Sequence, residues 1–518
     1  MGKKITEKVT WVGKIDWELN EFHGHEYSTE KGSSYNSYLI RDKKTVLMDT
    51  VWKPFDDEFV ANLKKEIDLK DIDYIVMNHN ENDHSGALPA LMREIPDTPI
   101  YCTKKGEAIL RGLYHQDWNF VNVKTGDTLD LGDSQLVFIE AAMLHWPDTM
   151  FTYMTGENIL FSNDGFGQHY ASERMYNDCV DQAELYQEAM KYYANILNLY
   201  SPMVTRKIDE ILKMGVPVNM ICPSHGVIWR KDPLKIVAKY QDWAKAYQEN
   251  QITIIYDTMW NSTRRMAECI AEGLRETDPT LTVKLFNSAV DDKNDIVTEV
   301  FKSKAILVGS PTINYGFLFS IGGIMEMIRG LKFKNKKAAA FGSYGWSGEG
   351  VPHIIARLKQ IHLRVVDGFR VRFKPSEREL AEAVSFGYQF GLKLLKGEEK
   401  KKPSARGTLV KCLVCGEIFD SSIETCPVCG VGAENFVPVA SQDTDFCRDT
   451  EERFVILGGG TAALQAAKAI RLRNRTAEIT MLSEEKELPY DRPMLTKNLF
   501  GAVSGGAIAS VSAKWYQE

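Results

Sequence analysis

Two histidines and two carboxylates stand within one six-residue run, His79–His84 (sequence HNENDH). The run follows the apolar segment Tyr74–Met77, which predicts a strand, after one intervening residue, Asn78. On a loop after a strand, this spacing lets alternate side chains point into one cavity. Imidazole and carboxylate ligands suit iron, manganese or zinc, so the run predicts a metal site.

Three further candidate ligands each stand just past an apolar segment, where loops gather functional groups. Together the candidates outnumber the four ligands of a structural zinc site, and they match two metals that share a bridging carboxylate. The full set is His79, Glu81, Asp83, His84, His145, Asp164 and His225. Isolated histidines such as His115 and His353 are interpreted instead as ordinary core or surface residues.

Strand-like and helix-like segments alternate along most of the chain, which predicts an α/β architecture with parallel strands. A first block covers residues 1–250, with a strand at Gln135–Glu140 and a helix at Gln182–Asn198. A second α/β rhythm begins at Gln251 with the strand Ile252–Tyr256 and covers residues 251–396. Charged or polar linkers are predicted at 397–408 and 441–452.

Three loops of the second block follow predicted strands, and open α/β sheets bind ligands at that end of their strands. The first loop is rich in hydroxyls and opens a helix, which suits an anion, and the other two carry glycines and aromatic rings. These loops predict a flavin ring above a phosphate pocket. A plain helix cap and packing aromatics are the alternatives. The candidate residues are Thr258, Met259, Trp260, Asn261, Ser262, Thr263, Pro311, Thr312, Asn314, Gly316, Ser343, Tyr344, Gly345, Trp346 and Gly348.

Two Cys-x-x-Cys pairs separated by ten residues predict a four-thiolate metal site within residues 409–440. The ligands would be Cys412, Cys415, Cys426 and Cys429. The spacing identifies the site but leaves zinc and a single iron open. The other five cysteines are scattered and need no special role.

The last block, residues 453–518, begins with a strand, a glycine turn and the start of a helix, as in a dinucleotide-binding fold. A second strand and Glu484 follow at the spacing expected for a ribose contact. The segment is short for a complete reductase. We therefore expect FAD only in a longer native chain, and we interpret the block as a partial Rossmann segment.

Residues 1–398 resemble flavodiiron proteins, which combine a metallo-β-lactamase-like αββα sandwich with a flavodoxin-like doubly wound sheet. Matching segments include Trp11–Gly13, Phe22–Gly24 and Tyr192–Ile196. Hydrolases of the wider fold carry His-x-His-x-Asp-His. Here Glu81 replaces the middle histidine, which favours iron over zinc.

The resemblance implies a role for each ligand. His79, Glu81 and His145 would bind one iron, Asp83, His84 and His225 the other, and Asp164 would bridge them. It also implies FMN in the second block. His23 and Tyr193 would form hydrogen bonds to the iron ligands without binding iron themselves. The cysteine pairs resemble a small rubredoxin-like domain. The last block resembles NADH:rubredoxin oxidoreductases, with Glu484, Arg492 and Lys497 as the matching FAD contacts.

Composition narrows the class of protein. The 518 residues carry a net charge of −7, with 44% hydrophobic and 26% charged residues, as in globular proteins. Mild acidity argues against nucleic-acid binding, and no run reaches the length of a membrane span. The start of the chain lacks the apolar core of a signal peptide, so the sequence predicts a cytoplasmic location.

The blocks line up as an electron route from rubredoxin-like iron through FMN to a diiron site. The sequence therefore predicts an O₂ reductase, with NO reduction to N₂O as the alternative for the same ligands. A zinc hydrolase and a non-catalytic electron carrier are the rival classes. The resemblance also implies a head-to-tail homodimer, and an NADH-dependent reductase module is the expected electron donor.

Overall fold

The structure is a computed structural model that describes residues 2–395, 409–412, 418–420, 432–433, 436–438, 451–474 and 476–484. The chain forms two compact units that divide between Val437 and Pro438. The predicted linker 397–408 lies outside the described residues, as does most of the second linker. Predicted ligands and contacts that also lie outside them are Cys415, Cys426, Cys429, Arg492 and Lys497.

The first region is built from many short strands and seven-to-thirteen-residue helices, with one shorter helix at the metal-ligand run. Its strands are β1 (Lys3–Lys4), β2 (Val9–Trp11), β3 (Lys14–Asp16), β4 (Glu21–Phe22), β5 (Tyr27–Ser28), β6 (Ser33–Tyr35), β7 (Tyr38–Arg41), β8 (Thr45–Met48), β9 (Tyr74–Val76), β10 (Ile100–Thr103), β11 (Phe120–Val123), β12 (Thr128–Asp130), β13 (Gln135–Glu140), β14 (Met150–Met154), β15 (Ile159–Asn163) and β16 (Met220–Pro223). Its α-helices are α1 (Asp56–Glu66), α2 (Asn82–Ser85), α3 (Leu88–Glu94), α4 (Lys104–Tyr114), α5 (Gln182–Tyr192), α6 (Ser201–Lys213) and α7 (Leu234–Trp243). Single turns of 3₁₀ helix lie at Lys53–Phe55, Leu69–Asp71, Asn177–Cys179 and Asn198–Tyr200, and a π-helical turn at Tyr193–Leu197 follows α5.

Two sheets form a sandwich in this region. One has the order β1-β2-β7-β8-β9-β10-β11 and the other β12-β13-β14-β15-β16. Alternate side chains of both sheets meet in one buried apolar cluster that includes Ile40 and Met48 from the first sheet and Phe138 and Phe161 from the second. The opposite face of the first sheet packs against helices α1, α3 and α4. This confirms the predicted αββα sandwich.

The second region is a five-stranded parallel sheet with helices on both faces. Its strands are β17 (Glu249–Tyr256), β18 (Thr282–Asn287), β19 (Ser303–Gly309), β20 (Lys337–Tyr344) and β21 (Arg364–Arg372), and its helices are α8 (Ser262–Arg275), α9 (Lys293–Lys302), α10 (Phe319–Leu331), α11 (Gly350–Gln360) and α12 (Glu377–Leu395). The strand order β18-β17-β19-β20-β21 is that of flavodoxin-like folds, which confirms the predicted doubly wound sheet.

The two regions share a continuous apolar core. One cluster of buried side chains runs from Leu160 and Ile221 of the second sandwich sheet, through Tyr193 and Trp243, to Phe301 on α9. The same cluster extends into the inner face of the parallel sheet. Because this surface is large and apolar, the two regions are held in a defined relative position rather than joined only by the chain.

Three short strands and one β-α-β segment are described beyond residue 395. They are β22 (Leu409–Cys412), β23 (Ile418–Asp420), β24 (Phe436–Pro438), β25 (Arg453–Leu457), α13 (Thr461–Arg473) and β26 (Glu478–Leu482). Strands β22 and β23 pair antiparallel, and β25 and β26 pair parallel with Gly458 at φ +122° in the turn between β25 and α13. Within the described ranges, no helix combines the length and apolar character needed to cross a membrane.

Helices α8 and α12 pack unusually closely because glycines line their contact. A Cβ atom on Gly387 would clash with the carbonyl oxygen of Ile270, and one on Gly273 would clash with that of Val384. Only a hydrogen at these positions lets the two backbones approach. The contact closes one face of the parallel sheet.

Replacing Gly387 by Ala should therefore lower the free energy of unfolding by about 1–3 kcal/mol, the usual cost of overpacking. Gly323→Ala is the matched control, because Gly323 is an exposed helical glycine with no atom within 4 Å of an added Cβ. The control should raise the free energy of unfolding by about 0.5–1 kcal/mol. Thermal unfolding followed by circular dichroism measures both, and equal effects would contradict close packing as the cause.

Candidate metal centre and flavin site

All seven predicted metal ligands converge at one end of the sandwich. His79 follows β9, Asp164 follows β15, and His225 follows β16. Strands β15 and β16 are parallel neighbours, so their carboxyl ends open at the same edge. The remaining ligands come from the adjacent loop with α2 and from the loop between β13 and β14, and they are Glu81, Asp83, His84 and His145.

Local backbone features orient the side chains of Asp164 and His225. The register between β15 and β16 shifts between Phe161 and Asn163, just before Asp164. Gly226 follows His225 with φ +76°, and a Cβ there would clash with the side chain of Gln168. A glycine is thus required for the turn that carries His225.

The seven side chains form two groups whose ligand atoms lie within 4.8 Å of one another. One group contains Asp83, His84 and His225, and the other contains His79, Glu81, His145 and Asp164. The grouping agrees with the two ligand sets that the family resemblance implies.

Asp164 lies between the groups and faces both. Its Oδ2 atom is 3.4 Å from His79 Nε2 and 3.2 Å from His145 Nε2. Its Oδ1 atom is 3.1 Å from His84 Nε2 and 3.5 Å from His225 Nε2. One oxygen therefore points to each group, as required of a carboxylate that bridges two metals.

Several buried polar atoms here have no hydrogen-bond partner among the described residues: Asp83 Oδ1, Asp164 Oδ2 and both ring nitrogens of His84. Each such atom costs about 1–3 kcal/mol if it stays unsatisfied. His84 Nε2 nevertheless lies 3.0 Å from Asp83 Oδ2. Two ligands about 2.1 Å from one ion at a right angle are roughly 3 Å apart, so these residues fit a metal pair.

The charges of the group also fit cations. Burial raises the pKa of Asp164, but His84 and His145 outweigh it and hold the pKa well below its usual range. Burial likewise raises the pKa of Glu81, and hydrogen bonds from His23 and His79 bring it to about 2. Both carboxylates are therefore ionised at neutral pH, as carboxylate ligands of a metal must be.

A second layer of hydrogen bonds fixes the ligand rings. Asp148 lies 3.3 Å from His79 Nδ1 and also accepts from the backbone and side-chain nitrogens of Asn80 at 2.9 and 2.8 Å. His225 Nδ1 donates to the carbonyl oxygen of Ser34 at 2.7 Å. Both contacts leave the Nε2 atom free for a metal. The sequence placed Asp148 three residues after His145, yet only the fold shows its contact with His79.

The two predicted supporting residues have different outcomes. His23 Nε2 lies 3.1 Å from Glu81 Oε1, in agreement with the prediction. The Tyr193 hydroxyl instead lies 2.9 Å from Ser201 Oγ, in the apolar core. The prediction that Tyr193 supports a metal ligand by a hydrogen bond was therefore wrong. The preceding Tyr192 packs against His169, with ring centroids 5.1 Å apart.

His169 was not predicted from the sequence to belong to the site. It is buried, its Nδ1 lies 2.8 Å from Ser33 Oγ, and its ring centroid is 4.8 Å from that of His225. The only available signal was its position five residues after Asp164. It lies outside both ligand groups and supports His225 by packing.

One side of the centre faces solvent. The side chains of Glu81 and His145 are 16% and 12% exposed, whereas those of His79, His84, Asp164 and His225 are at most 2% exposed. Trp146 covers part of this side, and its ring centroid is 5.2 Å from that of His79. Glu81 and His145 are therefore the ligands nearest to solvent.

The three predicted flavin loops converge at the carboxyl edge of the parallel sheet. They line a cavity of about 270 Å³ bounded by Met259, Thr312, Ile313, Asn314, Tyr315, Gly345, Trp346 and Ser347. Ile313, Tyr315 and Ser347 were not singled out from the sequence. They lie beside predicted residues on the same loops.

The start of α8 fits an anion. Asn261 precedes the helix with φ +62° and its side chain makes no capping hydrogen bond. The Thr258 hydroxyl is buried and has no hydrogen-bond partner among the described residues. Uncapped backbone N–H groups and a free hydroxyl are what a phosphate group would bind.

Other predicted flavin residues play supporting or exposed roles. The Thr263 and Ser343 hydroxyls are buried 3.5 Å apart, so they brace two loops from within. Tyr344 lies under the guanidinium of Arg370 at 5.6 Å and against Gly348. The remaining positions are Pro311, which is buried, Gly316, which closes a tight turn with Ile313, Ser262, which begins α8, and Trp260, which is 88% exposed.

Of the predicted four-cysteine site and the predicted FAD contacts, only Cys412 and Glu484 lie within the described residues. Cys412 ends β22, and Glu484 is exposed just after β26. The four-cysteine site and the FAD contacts remain predictions.

Comparisons with known proteins agree with this geometry. Residues 34–226 match the family described as ODP family beta lactamase, and residues 254–387 match the flavodoxin family. A protein of Shigella boydii named anaerobic nitric oxide reductase flavorubredoxin is 47% identical over 473 residues, which cover 85% of this chain and 99% of that protein. A protein of Vibrio vulnificus with the same name is 52% identical over 74% of this chain and 78% of that protein.

Solved structures show the same arrangement. Rubredoxin oxygen:oxidoreductase from Desulfovibrio gigas superimposes with a TM-score of 0.74 at 36% identity, and the match covers 77% of this chain and 99% of that one. The flavodiiron protein of Giardia intestinalis gives a TM-score of 0.73 at 35% identity, covering 76% and 97%. With its sandwich, its flavodoxin-like sheet and these relatives, the chain belongs to the flavodiiron protein family of oxidoreductases.

Proposed function

We propose that this protein is a nitric oxide reductase that converts two NO molecules, two electrons and two protons into N₂O and water at a pair of irons. The observation that carries the proposal is Asp164, whose two oxygens face different ligand groups. Relatives of 47% and 52% identity that are named anaerobic nitric oxide reductase support NO as the substrate.

The ligand assignment follows the two groups. His79, Glu81 and His145 would hold one iron, and Asp83, His84 and His225 would hold the other. Asp164, which lies between the two groups, would contact both irons. Three carboxylates with four neutral imidazoles carry three negative charges, which largely balance two divalent irons.

The irons, when bound, supply the electron exchange with the gas, and the protein controls access and charge. Glu81 and His145 lie on the exposed side, so they border the approach of the substrate. Trp146 presents an apolar wall beside both His79 and His145, with centroid distances of 5.2 and 6.5 Å. Apolar walls admit a small uncharged gas while keeping bulk water away from the centre.

The parallel sheet is proposed to hold FMN as the electron relay. Thr258 and the start of α8 would bind its phosphate, and the loops with Thr312 and Trp346 would hold its ring. FMN passes electrons singly or in pairs, so it can link one-electron donors to a two-electron reaction.

Reduction of O₂ to water, with four electrons and four protons, is the second candidate. It is the activity predicted from the sequence, and the name of the D. gigas structural relative, rubredoxin oxygen:oxidoreductase, supports it. Both gases would use the same seven ligands, so the site geometry is compatible with either.

The electron supply and assembly are also proposals. A rubredoxin-like iron at the four cysteines would pass electrons from an NADH-dependent reductase module to FMN. The strongly exposed rings of Trp260, Phe319 and Trp346 favour a covering partner at the FMN loops, as in a head-to-tail homodimer. Cytoplasmic location stays a prediction.

Gas consumption distinguishes the two activities. One assay supplies NO without O₂, and a parallel assay supplies O₂ without NO, each with the same reduced electron donor. The purified protein should consume NO faster than O₂. The measurement uses gas-specific electrodes and detection of N₂O. Faster O₂ turnover would favour the second candidate, and absence of both would contradict the proposal.

Replacing Asp164 by Ala should remove the bridge and lower the bound iron by at least one atom per chain. Gas reduction should fall by more than about 100-fold, since loss even of an outer support commonly costs 10–100-fold. FMN should remain bound, because the flavin loops lie in the other region. Metal analysis and the flavin absorbance measure both quantities.

The matched control for Asp164 is Asp178→Ala. Asp178 is a surface carboxylate of the same region that pairs with Arg230 at 2.9 Å. This change should leave iron content and gas reduction unchanged. Full activity in Asp164→Ala would instead support a carrier whose first region is purely structural.

Replacing Thr258 by Val should raise the dissociation constant for FMN about 10- to 100-fold, because a hydrogen bond to a charged group contributes about 1.5–3 kcal/mol. Thr277→Val is the control at the opposite end of α8, where the Thr277 hydroxyl donates to Leu274 O at 2.6 Å. Titration of the flavin-free protein with FMN measures both. Equal affinities in the two variants would exclude Thr258 from the phosphate site.

A further inference from the structure

Residues at the start of α9, in the flavodoxin-like region, form hydrogen bonds with a short hairpin of the sandwich. We define the 21–28 hairpin as β4, β5 and the turn 23–26 between them. Asn294 Oδ1 accepts from the backbone N–H of Ser28 at 2.9 Å, and Asn294 Nδ2 donates to Glu26 O at 3.2 Å. Asp292 Oδ1 accepts from the Ser28 hydroxyl at 2.7 Å.

Asp292 and Asn294 are themselves held in place by further hydrogen bonds. Asp292 caps α9 by accepting from the N–H groups of Asn294 and Asp295 at 3.0 and 2.9 Å. Asn294 Nδ2 also donates to Asn195 Oδ1 at 3.0 Å, on the π-helical turn after α5. Asn294 is only 1% exposed, so each of these bonds replaces water that it would otherwise bind.

An ion pair between a buried lysine and two partly exposed carboxylates reinforces the same contact. Lys191 on α5 lies 2.7 Å from Asp295 and 3.7 Å from Asp292. The Lys293 ammonium also donates to the carbonyl oxygen of His25, at the tip of the hairpin. The hairpin backbone is therefore held at its tip and at its base by one helical turn.

The hairpin reaches the metal centre at its other side. His23 Nε2 lies 3.1 Å from Glu81 Oε1. The Glu81 carboxylate otherwise faces His79 and His145, each at 3.4 Å. The ring of Phe22 packs near that of His225, with centroids 6.0 Å apart.

The hairpin is too short to order itself. Each of its strands has two residues, and the paired positions are Glu21 with Ser28 and Phe22 with Tyr27. A two-stranded hairpin is marginally stable in water even when it is longer. Its order must therefore come from the surfaces that hold it, and α9 supplies bonds to three successive parts of it.

We propose that Asn294 and Asp292 are positioning residues for the metal centre: by fixing the 21–28 hairpin, they hold His23 against Glu81. The flavodoxin-like region would thus shape the centre within its own chain, in addition to carrying the flavin. This inference rests on the proposed function insofar as Glu81 is an iron ligand.

The test uses full-length Asn294→Ala, with Ser28→Ala as a milder variant that removes one hydroxyl. Amide hydrogen exchange of residues 21–28 should become about tenfold faster in Asn294→Ala, and the electron paramagnetic resonance of the mixed-valent iron pair should shift. Flavin content should stay unchanged. If Asn294→Ala does not fold, Ser28→Ala should show the same changes in smaller size.

Asn198→Ala is the matched control. Asn198 Nδ2 donates to Leu331 O at 2.7 Å, so it joins the same two regions at a place that does not touch the hairpin. The control should leave both the hairpin exchange and the iron spectrum as in the wild type. If Asn198→Ala and Asn294→Ala gave the same changes, the proposal would be replaced by a general loosening of the interface.

A double-mutant cycle tests whether the effect passes through His23. If it does, adding Asn294→Ala to His23→Ala should cause no further loss of kcat/KM. Additive losses, or an iron spectrum changed by neither Asn294→Ala nor Ser28→Ala, would overturn the proposal. Failure of the proposed function is distinguishable: a wild-type protein that reduced neither gas would refute the function, while the exchange and spectral comparisons would still report on positioning.

Discussion

Three ionised carboxylates buried at one end of the sandwich are the constraint on which the rest of the structure depends. Asp83, Asp164 and Glu81 approach four imidazoles at about 3.0–3.5 Å, and several of their atoms lack hydrogen bonds among the described residues. A buried charge is costly unless a counter-charge accompanies it. Two divalent irons would satisfy both the charge and the unpaired atoms.

The scaffold keeps this costly arrangement in place by dividing it among rigid elements. His79, Asp164 and His225 follow three different strands. The rings of His79 and His225 are held by hydrogen bonds to Asp148 and to the Ser34 carbonyl oxygen, and Asp164 accepts from the Ser224 hydroxyl. Ligands on strand ends move less than ligands on long loops. Glu81 and His145 lie on loops instead, and the contact of Glu81 with His23 depends on the hairpin that α9 holds.

Much of the fold followed from local pattern. The strand Gln135–Glu140 was predicted at its observed bounds, and β17 begins two residues before the predicted boundary at Gln251. The predicted helix Gln182–Asn198 is α5 followed by a π-helical turn, in which Asn195 Nδ2 donates to Thr298 Oγ1 of α9 at 3.1 Å. Hydrophobic periodicity reports which face of a helix is buried. It does not report a local change of helical pitch.

The sequence by itself determined the chemistry available: seven imidazole and carboxylate ligands, three flavin loops and four clustered cysteines were read from residue type and spacing. Only the tertiary structure decided that Asp164 faces both ligand groups, that Tyr193 lies in the apolar core, and that Asn294 reaches the hairpin beside Glu81. The physical reason is distance along the chain. Ser28 and Asn294 are 266 residues apart, and no local pattern encodes a contact that packing of two regions creates.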